Sequence, residues 1–310
     1  MNLVFFGTPA AAATSLRALV AAGHRVALVV TQPDRPAGRS RQPAAPPTKR
    51  AAREAGIEVL QPQRLRDERF LSGLRALAPD LLVVVAYGRM LKPGLLAIPP
   101  RGAINLHFSL LPRYRGAAPV QWALARGETT TGVTTMRIND RLDEGELLLQ
   151  REVAVEPGEH APALEARLAE IGSALLVETL ERMERGALEP RPQDPRLASL
   201  APRLTPRDGQ VDARWTAREV EGRIRGFDPW PGVWARRKGR RLRLAAGRVT
   251  DRQSASPPGT VVDLGGGAVG LVCCGGTILE LTALQVEGRR VTSAREALHG
   301  RQVAPGDVLR

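Results

Sequence analysis

The sequence predicts an α/β protein with a mainly parallel, Rossmann-like sheet, helices on both faces of that sheet, and a smaller second domain. Three observations support this fold class. Strand-like and helix-like segments alternate over the first 186 residues, a proline-rich stretch follows, and short strands separated by glycines fill the rest of the chain. Such alternation is typical of a parallel sheet, whereas closely spaced short strands are typical of a small β-barrel. A length of 310 residues also favours two domains, because it exceeds the chain length that usually folds around one hydrophobic core.

The first part of the chain begins as strand, helix and strand. Apolar residues 2–7 predict a strand that ends in a turn at Gly7 to Pro9, and the alanine-rich segment after it predicts a helix that ends before Gly23. The continuous hydrophobicity of Leu81 to Ala86 suits a strand that is buried on both faces. The remaining predicted strands are 24–31, 57–60, 102–108, 131–138 and 147–155, and the remaining predicted helices are 64–77 and 162–185.

The proline-rich stretch predicts a domain boundary. Residues 187–207 contain five prolines and little periodicity, as expected of a stiff linker. We therefore expect an α/β domain at 1–186, this linker, and a β-barrel domain at 208–310. The barrel domain is predicted to begin with a helix near 216–226, followed by strands at 232–249, 259–263, 268–273 and 276–284.

Composition limits the class of protein. The two cysteines, Cys273 and Cys274, are adjacent in an apolar run, which favours core residues over a disulfide framework or a metal site. The sequence shows no secretion signal and no apolar run approaching 18 residues, so we expect a cytoplasmic protein without a membrane segment or a bound metal. The net charge of +13 points to an anionic partner such as nucleic acid or phosphate, although an arginine-rich genome would also produce it.

The positive charge is concentrated in two places. Residues 201–252 hold 14 basic and 6 acidic side chains, and six of those cations fall within 236–243, across a predicted hairpin. The segment from Arg35 to Arg53 holds six basic residues and no acidic one, although a solvated loop would look the same. Two basic elements in different domains favour a large polyanion over a single phosphate. The predicted contacts to it are Arg35, Arg39, Arg41, Lys49, Arg236, Arg237, Lys238, Arg240 and Arg241.

Two polar residues within an apolar strand predict a reaction site. Side chains alternate along a strand, so Asn105 and His107 face the same side, and burying each one unpaired costs about 1 to 3 kcal/mol. The acidic loop around Asp143 follows another predicted strand. A carboxylate that orients an imidazole, beside an amide that donates to a developing oxyanion, is a set of groups suited to acyl transfer. An ordinary loop carboxylate or a helix N-cap at Asp143 is the alternative.

Six motifs of the chain resemble those of the 10-formyltetrahydrofolate-dependent formyltransferases, and within them the branch that acts on methionyl-tRNA. The motifs are Phe6 to Pro9, Thr31 to Arg39, Val84 to Gly88, Asn105 to Pro119, Leu142 to Gly145 and Phe227 to Gly232. The resemblance extends over nearly the whole chain. It implies transfer of a formyl group from 10-formyltetrahydrofolate to the α-amino group of initiator methionyl-tRNA for translation initiation, and an OB-fold-like barrel as the second domain.

Residue roles follow from the same resemblance. It places the catalytic groups at Asn105, His107 and Asp143, and the loop from Arg35 to Arg50 against the acceptor stem of the tRNA. The folate contacts that it implies are Ser109, Leu110, Leu111, Pro112, Arg89, Met90, Leu91 and Asp140. Three alternatives stay open: a nucleotide-linked amino sugar as the formyl acceptor, simple hydrolysis of the formyl-folate, and a nonenzymatic RNA-binding protein. No protein partner is implied.

Overall fold

The computed structural model describes residues 1–36 and 43–310, which form two compact units. The first unit comprises residues 1–119, 130–154 and 165–202, and the second comprises 120–129, 155–164 and 203–310. Most of the proline-rich stretch that the sequence predicts to be a linker therefore belongs to the first unit. Within that unit Arg191 forms a bridge with Leu147, and Leu200 forms one with Arg115.

A seven-stranded sheet organises the first unit. Its seven strands are β1 (Asn2–Gly7), β2 (Arg25–Val30), β5 (Val59–Leu60), β6 (Leu81–Val85), β7 (Ala103–His107), β8 (Thr130–Arg137) and β9 (Leu147–Ala154). Between β2 and β5, the short strands β3 (Arg35–Pro36) and β4 (Pro43–Ala44) form a separate pair. The order across the sheet is β5-β2-β1-β6-β7-β8-β9, while β3 and β4 pair only with each other. The first five strands of that order are parallel to one another. Strand β8 runs antiparallel to β7, and β9 runs antiparallel to β8. The predicted mainly parallel sheet is confirmed.

Helices pack on both faces of this sheet. The helices in the first two thirds of the chain are α1 (Ala10–Ala21), α2 (Pro47–Glu54), α3 (Glu68–Ala76), α4 (Pro93–Leu96), α5 (Pro119–Ala125) and α6 (Ala161–Glu184). After its first residue α5 belongs to the second unit, as does the start of α6. On one face, Phe6 and Val84 share a buried cluster with Phe70 of α3. On the other face, Leu106 lies against Gly172 of α6, where a Cβ would come within 3.0 Å of the leucine side chain. Because Leu106 points toward α6, its neighbours on β7 point toward the opposite face.

The second unit is an antiparallel β structure. Its elements are α7 (Ala217–Gly226), β10 (Val233–Arg237), β11 (Arg240–Gln253), β12 (Val261–Gly265), β13 (Ala268–Val272), β14 (Thr277–Val286), β15 (Thr292–Ser293) and α8 (Ala294–His299). The strand order is β10-β11-β14-β13-β12, and β15 pairs with β14. Backbone hydrogen bonds join residues 306–310 to Arg236 on one side and to Gly259 and Val261 on the other. These bonds close the sheet into the predicted small barrel.

The buried residues of the barrel include one of the two cysteines. Cys273 is 4% exposed, and burial raises the pKa of its thiol to about 12, so it behaves as a small apolar residue. Among the residues that the structure describes, none of the helices is long and apolar enough to cross a membrane.

Candidate active site

Asn105 and His107 lie at the carboxyl end of β7, where the first unit opens into a cavity of about 420 Å³. Asn105 is paired in register with Val84 of parallel β6 and with Met136 of antiparallel β8, which fixes the direction of its side chain. The cavity is lined by residues within 84–91, 105–108, 116–119 and 136–143. A cavity beyond the carboxyl ends of parallel strands is the usual ligand site of such sheets.

His107 is held in one orientation by a backbone carbonyl. Its side chain is almost completely buried, and Nε2 lies 2.9 Å from the carbonyl oxygen of Tyr114. A carbonyl oxygen only accepts, so Nε2 carries a hydrogen and donates it to Tyr114. The other ring nitrogen, Nδ1, lies 3.8 Å from Oδ2 of Asp143. The sequence-based prediction that Asp143 approaches His107 therefore agrees with the geometry, since the carboxylate faces Nδ1.

The Asn105 amide supplies the third polar group of the cavity. Its side chain is half-buried, lines the cavity, and forms no hydrogen bond with any residue that the structure describes. An amide without a protein partner can donate to an oxygen of a bound molecule, because no hydrogen bond within the protein has to break first. Asn105, His107 and Asp143 thus meet at one cavity, as the sequence predicts.

Asp143 has a strained backbone that its surroundings stabilise. Its φ of 51° lies in the left-handed region, which residues other than glycine rarely adopt. Oδ2 accepts a hydrogen bond from the backbone N–H of Gly116 at 2.8 Å, and the Asp143 carbonyl accepts one from Nε2 of Gln193, also at 2.8 Å. Two residues later, a Cβ at Gly145 would collide with the carbonyl oxygen of Arg137, so the loop needs glycine there.

Gln193 holds the Asp143 loop through contacts that the sequence does not predict. Its Nε2 donates to the carbonyls of both Asp143 and Gly145 at 2.8 Å, and its Oε1 accepts from Nε and Nη2 of Arg115 at 3.0 and 2.8 Å. Arg115 is itself buried and pairs with Glu144 at 3.0 Å. Gln193 falls in the proline-rich stretch, 50 residues after Asp143. No local pattern links the two, so only the folded chain reveals the contact.

The turn from Ser109 to Pro112, which the resemblance assigns to folate, supports the site from outside the cavity. None of its four residues lines the cavity. Ser109 is fully buried, and its hydroxyl donates to the carbonyl of Arg113 at 2.6 Å. The Leu111 backbone accepts a hydrogen bond from Gln150 through its carbonyl and donates one to Thr134 through its N–H. The turn therefore positions the segment whose Tyr114 carbonyl orients His107.

Of the other predicted folate contacts, three line the cavity and one does not. Arg89, Met90 and Leu91 line the cavity, whereas Asp140 is exposed and does not. The Arg89 guanidinium donates to the carbonyls of Pro62 and Gln63, which ties this wall of the cavity to a neighbouring loop.

Tyr87 also lines the cavity, although it is not among the folate contacts that the resemblance implies. It is 2% exposed and lines the cavity, and its hydroxyl has no hydrogen-bond partner among the described residues. Burial raises the pKa of this hydroxyl, so it stays protonated and able to donate. A buried polar group without a partner is costly, which marks this position as suited to a polar ligand atom.

The predicted anion-binding residues of the first unit have different environments. Arg35 is exposed on the β3–β4 hairpin. Arg39 and Arg41 lie outside the described residues. Lys49 is buried in α2, where its Nζ lies 2.8 Å from both carboxylate oxygens of Asp34 and 2.7 Å from Oε1 of Gln61. Lys49 therefore fastens α2 to the chain after β2, and its charge is already compensated within the protein.

Half of the cations in the basic hairpin of the second unit are available to an anion. We define it as the six cations of residues 236–243 on β10 and β11. Arg236, Lys238 and Arg240 are exposed. Arg237 pairs with Asp307, and Arg241 lies over the ring of Trp234 at 4.3 Å.

Comparison with known sequences gives the same family along both parts of the chain. The family model described as "Formyl transferase" matches residues 1–180, and "Formyl transferase, C-terminal domain" matches residues 203–302. A protein of Acidobacterium capsulatum named methionyl-tRNA formyltransferase is 48% identical over 306 residues, covering 98% of each chain. A protein with the same name from Anaeromyxobacter dehalogenans is 46% identical, covering 97% of each chain. Another from Moorella thermoacetica is 44% identical, covering 100% of this chain and 99% of that one.

Solved structures agree on the fold. A sugar 3N-formyl transferase, WlaRD, described with dTDP and 5-N-formyl-THF, superposes with a TM-score of 0.68 at 14% identity, covering 94% of this chain and 99% of that one. An N-formyltransferase from Helicobacter canadensis, in complex with folinic acid and dTDP-3-aminofucose, gives a TM-score of 0.68 at 16% identity, covering 90% and 98%. With the two family matches and relatives of 44% to 48% identity over almost their whole length, the chain belongs to the formyl transferase family.

Proposed function

We propose that this chain transfers the formyl group of 10-formyltetrahydrofolate to the α-amino group of initiator methionyl-tRNA in the cytoplasm. The observation that carries the proposal is the meeting of Asn105, His107 and Asp143 at one cavity. The names of relatives that are 44% to 48% identical over nearly their whole length support the same reaction and acceptor.

The lining of the cavity supports the formyl donor as its ligand. When bound, 10-formyltetrahydrofolate supplies a formyl group on N10, a nitrogen that can leave. A flat heterocycle with several donors and acceptors suits the wall formed by Arg89, Met90 and Leu91, and the buried Tyr87 hydroxyl gives it a donor without another partner. We therefore propose residues 87–91 and the loop 139–143 as the binding site for the pterin, with Asp140 at its edge and the turn from Ser109 to Pro112 as its support.

The residues of the site have separate roles in the proposed reaction. The α-amine attacks the formyl carbon, the bond between that carbon and N10 breaks, and the proton of the amine passes to N10. Asn105 and the His107 ring stabilise the negative charge that develops on the formyl oxygen. Asp143 keeps the imidazole oriented, because its carboxylate faces Nδ1. The chemistry requires no covalent intermediate with the enzyme.

The acceptor is tested by incubating the protein with radiolabelled 10-formyltetrahydrofolate and a set of aminoacylated tRNAs. The proposal predicts label on methionyl-tRNA, and loss of the label in a His107→Ala variant. In a parallel incubation with a nucleotide-linked amino sugar in place of the tRNAs, label on the sugar would instead establish the sugar as the acceptor. Release of free formate alone would establish hydrolysis. Tight binding of tRNA without any transfer of formyl would favour a nonenzymatic RNA-binding protein.

The basic hairpin gives a second, physical test of the acceptor. Contacts to several phosphates make the affinity fall steeply with salt concentration, while a small nucleotide gives a shallow dependence. We propose that Arg35, Arg39 and Arg41 contact the tRNA through the first unit, and that Arg236, Arg237, Lys238, Arg240 and Arg241 do so through the second. Lys49 contributes by fastening α2, since its charge is compensated by Asp34.

A further inference from the structure

One aromatic side chain of the second unit is exposed where the proposed reaction does not use it. Trp230 is 53% exposed, the largest exposure of any large hydrophobic residue described in that unit. Trp234, four residues later, is 8% exposed. Leaving a large aromatic ring in water forfeits the free energy of its burial, and such residues are enriched where proteins bind partners.

The loop that carries Trp230 is fixed by several contacts. The N–H of Gly232 donates to the carbonyl of Phe227 at 2.8 Å, and Phe227 is fully buried. The Asp228 carboxylate pairs with Arg243 at 2.9 Å and with His160 at 3.2 Å. Prolines on both sides of Trp230 restrict the backbone further. The indole ring is therefore presented on a rigid support, which reduces the entropy lost when it binds.

The surroundings of this ring are basic. Nη2 of Arg241 lies 3.4 Å from the carbonyl of Pro231, so the loop adjoins the basic hairpin. The carboxylate of Asp228 is compensated by Arg243 and faces His160 as well. An exposed aromatic ring beside cations is the arrangement that binds unpaired nucleotides, because the ring stacks on the base and the cations contact the phosphates.

We propose that Trp230 stacks on an unpaired base of the tRNA whose phosphates the basic hairpin contacts. This inference rests on the proposed function, since it takes tRNA as the partner. It assigns to the second unit a contact that does not depend on charge. An apolar surface of another protein could also cover an exposed tryptophan, but the positive charge beside the ring favours a polyanion.

Salt dependence separates stacking from contacts to phosphate. Stacking on one base is worth about 1 to 3 kcal/mol by alanine substitution, which corresponds to about 5- to 150-fold in affinity, and releases few counterions. We expect Trp230→Leu in the full-length protein to weaken binding of labelled tRNA at least 5-fold at every salt concentration, with an unchanged slope of log affinity against log salt. Trp230→Phe, which keeps an aromatic ring, should bind within about 3-fold of the wild type.

Arg240→Ala is the matched control in the same region. Its side chain is exposed and forms no ion pair with a described residue, so the substitution should reduce the salt slope by about 1. Chemical probing of the tRNA bases gives an independent measurement: one base protected by the wild type should lose its protection with Trp230→Leu and retain it with Arg240→Ala. Thermal unfolding should be unchanged by Trp230→Leu, because the ring is half-exposed.

The outcomes distinguish this inference from the proposal on which it rests. If the wild type neither binds nor formylates tRNA, the proposed function is wrong and the stacking role fails with it. If the wild type does both and Trp230→Leu binds as tightly as the wild type, only the stacking role is overturned. That second result would leave an apolar protein partner as the explanation for the exposed ring.

Discussion

Gln193→Ala tests whether the site depends on a residue that does not line the cavity. The wild-type side chain forms four hydrogen bonds, two to the carbonyls of Asp143 and Gly145 and two from Arg115. Neutral hydrogen bonds contribute about 0.5 to 1.5 kcal/mol each and those to charged groups about 1.5 to 3 kcal/mol. Alanine therefore removes several kcal/mol of local stabilisation, part of which water restores when it enters the space.

The loss acts on the backbone of Asp143, whose φ of 51° is held by these contacts. A residue other than glycine in this region carries about 1 to 3 kcal/mol of strain, which the freed loop can release by moving the carboxylate away from His107. We expect kcat for formyl transfer to fall about 10- to 100-fold. The dissociation constant for tRNA should stay within about 2-fold, because the Gln193 side chain bonds to Arg115, Asp143 and Gly145 and to none of the cations proposed to contact the tRNA.

The assay is steady-state formyl transfer at saturating tRNA, combined with binding measured separately. Gln193→Glu is informative as well, because a carboxylate still accepts from Arg115 but cannot donate to the two carbonyls, so it should not restore activity. Arg196→Ala is the matched control in the same stretch, since Arg196 is exposed and pairs only with Asp194 among the described residues. Wild-type kcat in Gln193→Ala would refute the positioning role.

Three further predictions concern the cavity and the ion pair under α2. His107→Ala should lower kcat about 10²-fold to 10³-fold, the usual cost of losing one group of an oxyanion site. Asp143→Asn removes the carboxylate that orients the His107 ring and should lower kcat as well, and near wild-type turnover of either variant would contradict its assignment. Tyr87→Phe should weaken binding of the folate donor, measured by titration. The melting temperature without folate should stay unchanged or rise, because the hydroxyl has no partner in the described chain. Unchanged folate affinity would remove Tyr87 from the site. Hydrogen bonds from Lys49 hold the pKa of Asp34 below its ordinary 3.8, so the stabilisation by this pair is present above that pH and is lost as the pH falls through the folded pKa. The difference in melting temperature between the wild type and Lys49→Met should therefore narrow below pH 4, and a constant difference from pH 7 to pH 3 would disagree with this explanation.

The arrangement of the proposed catalytic residues could be predicted from sequence because it follows from local rules. Alternation along a strand places Asn105 and His107 on one side, and the carboxyl ends of neighbouring strands share one edge of the sheet. The loop of Asp143 follows β8, which lies beside β7. The mainly parallel sheet and the small antiparallel barrel were predictable for similar reasons of spacing and periodicity.

Contacts between distant segments were not predictable in this way. The segment around Lys49 shows only basic composition in the sequence, whereas in the fold α2 buries this lysine against Asp34 and Gln61. The stretch of Gln193 shows only prolines and low periodicity, yet it holds the Asp143 loop. In both cases a charge or an amide is satisfied by partners that the fold brings together, and composition carries no information about those partners.

The backbone pairing of Arg115 has a consequence for how motion reaches the reaction centre. Its N–H donates to the Ser199 carbonyl at 2.8 Å, and its carbonyl accepts from the N–H of Ala201 at 2.7 Å. A Cβ at the next residue, Gly116, would come within 2.5 Å of the Ala201 carbonyl, so the two segments have no room to slide past each other. Gly116 also donates to the Asp143 carboxylate. A displacement of residues 199–201 would therefore reach that carboxylate through Arg115 and Gly116.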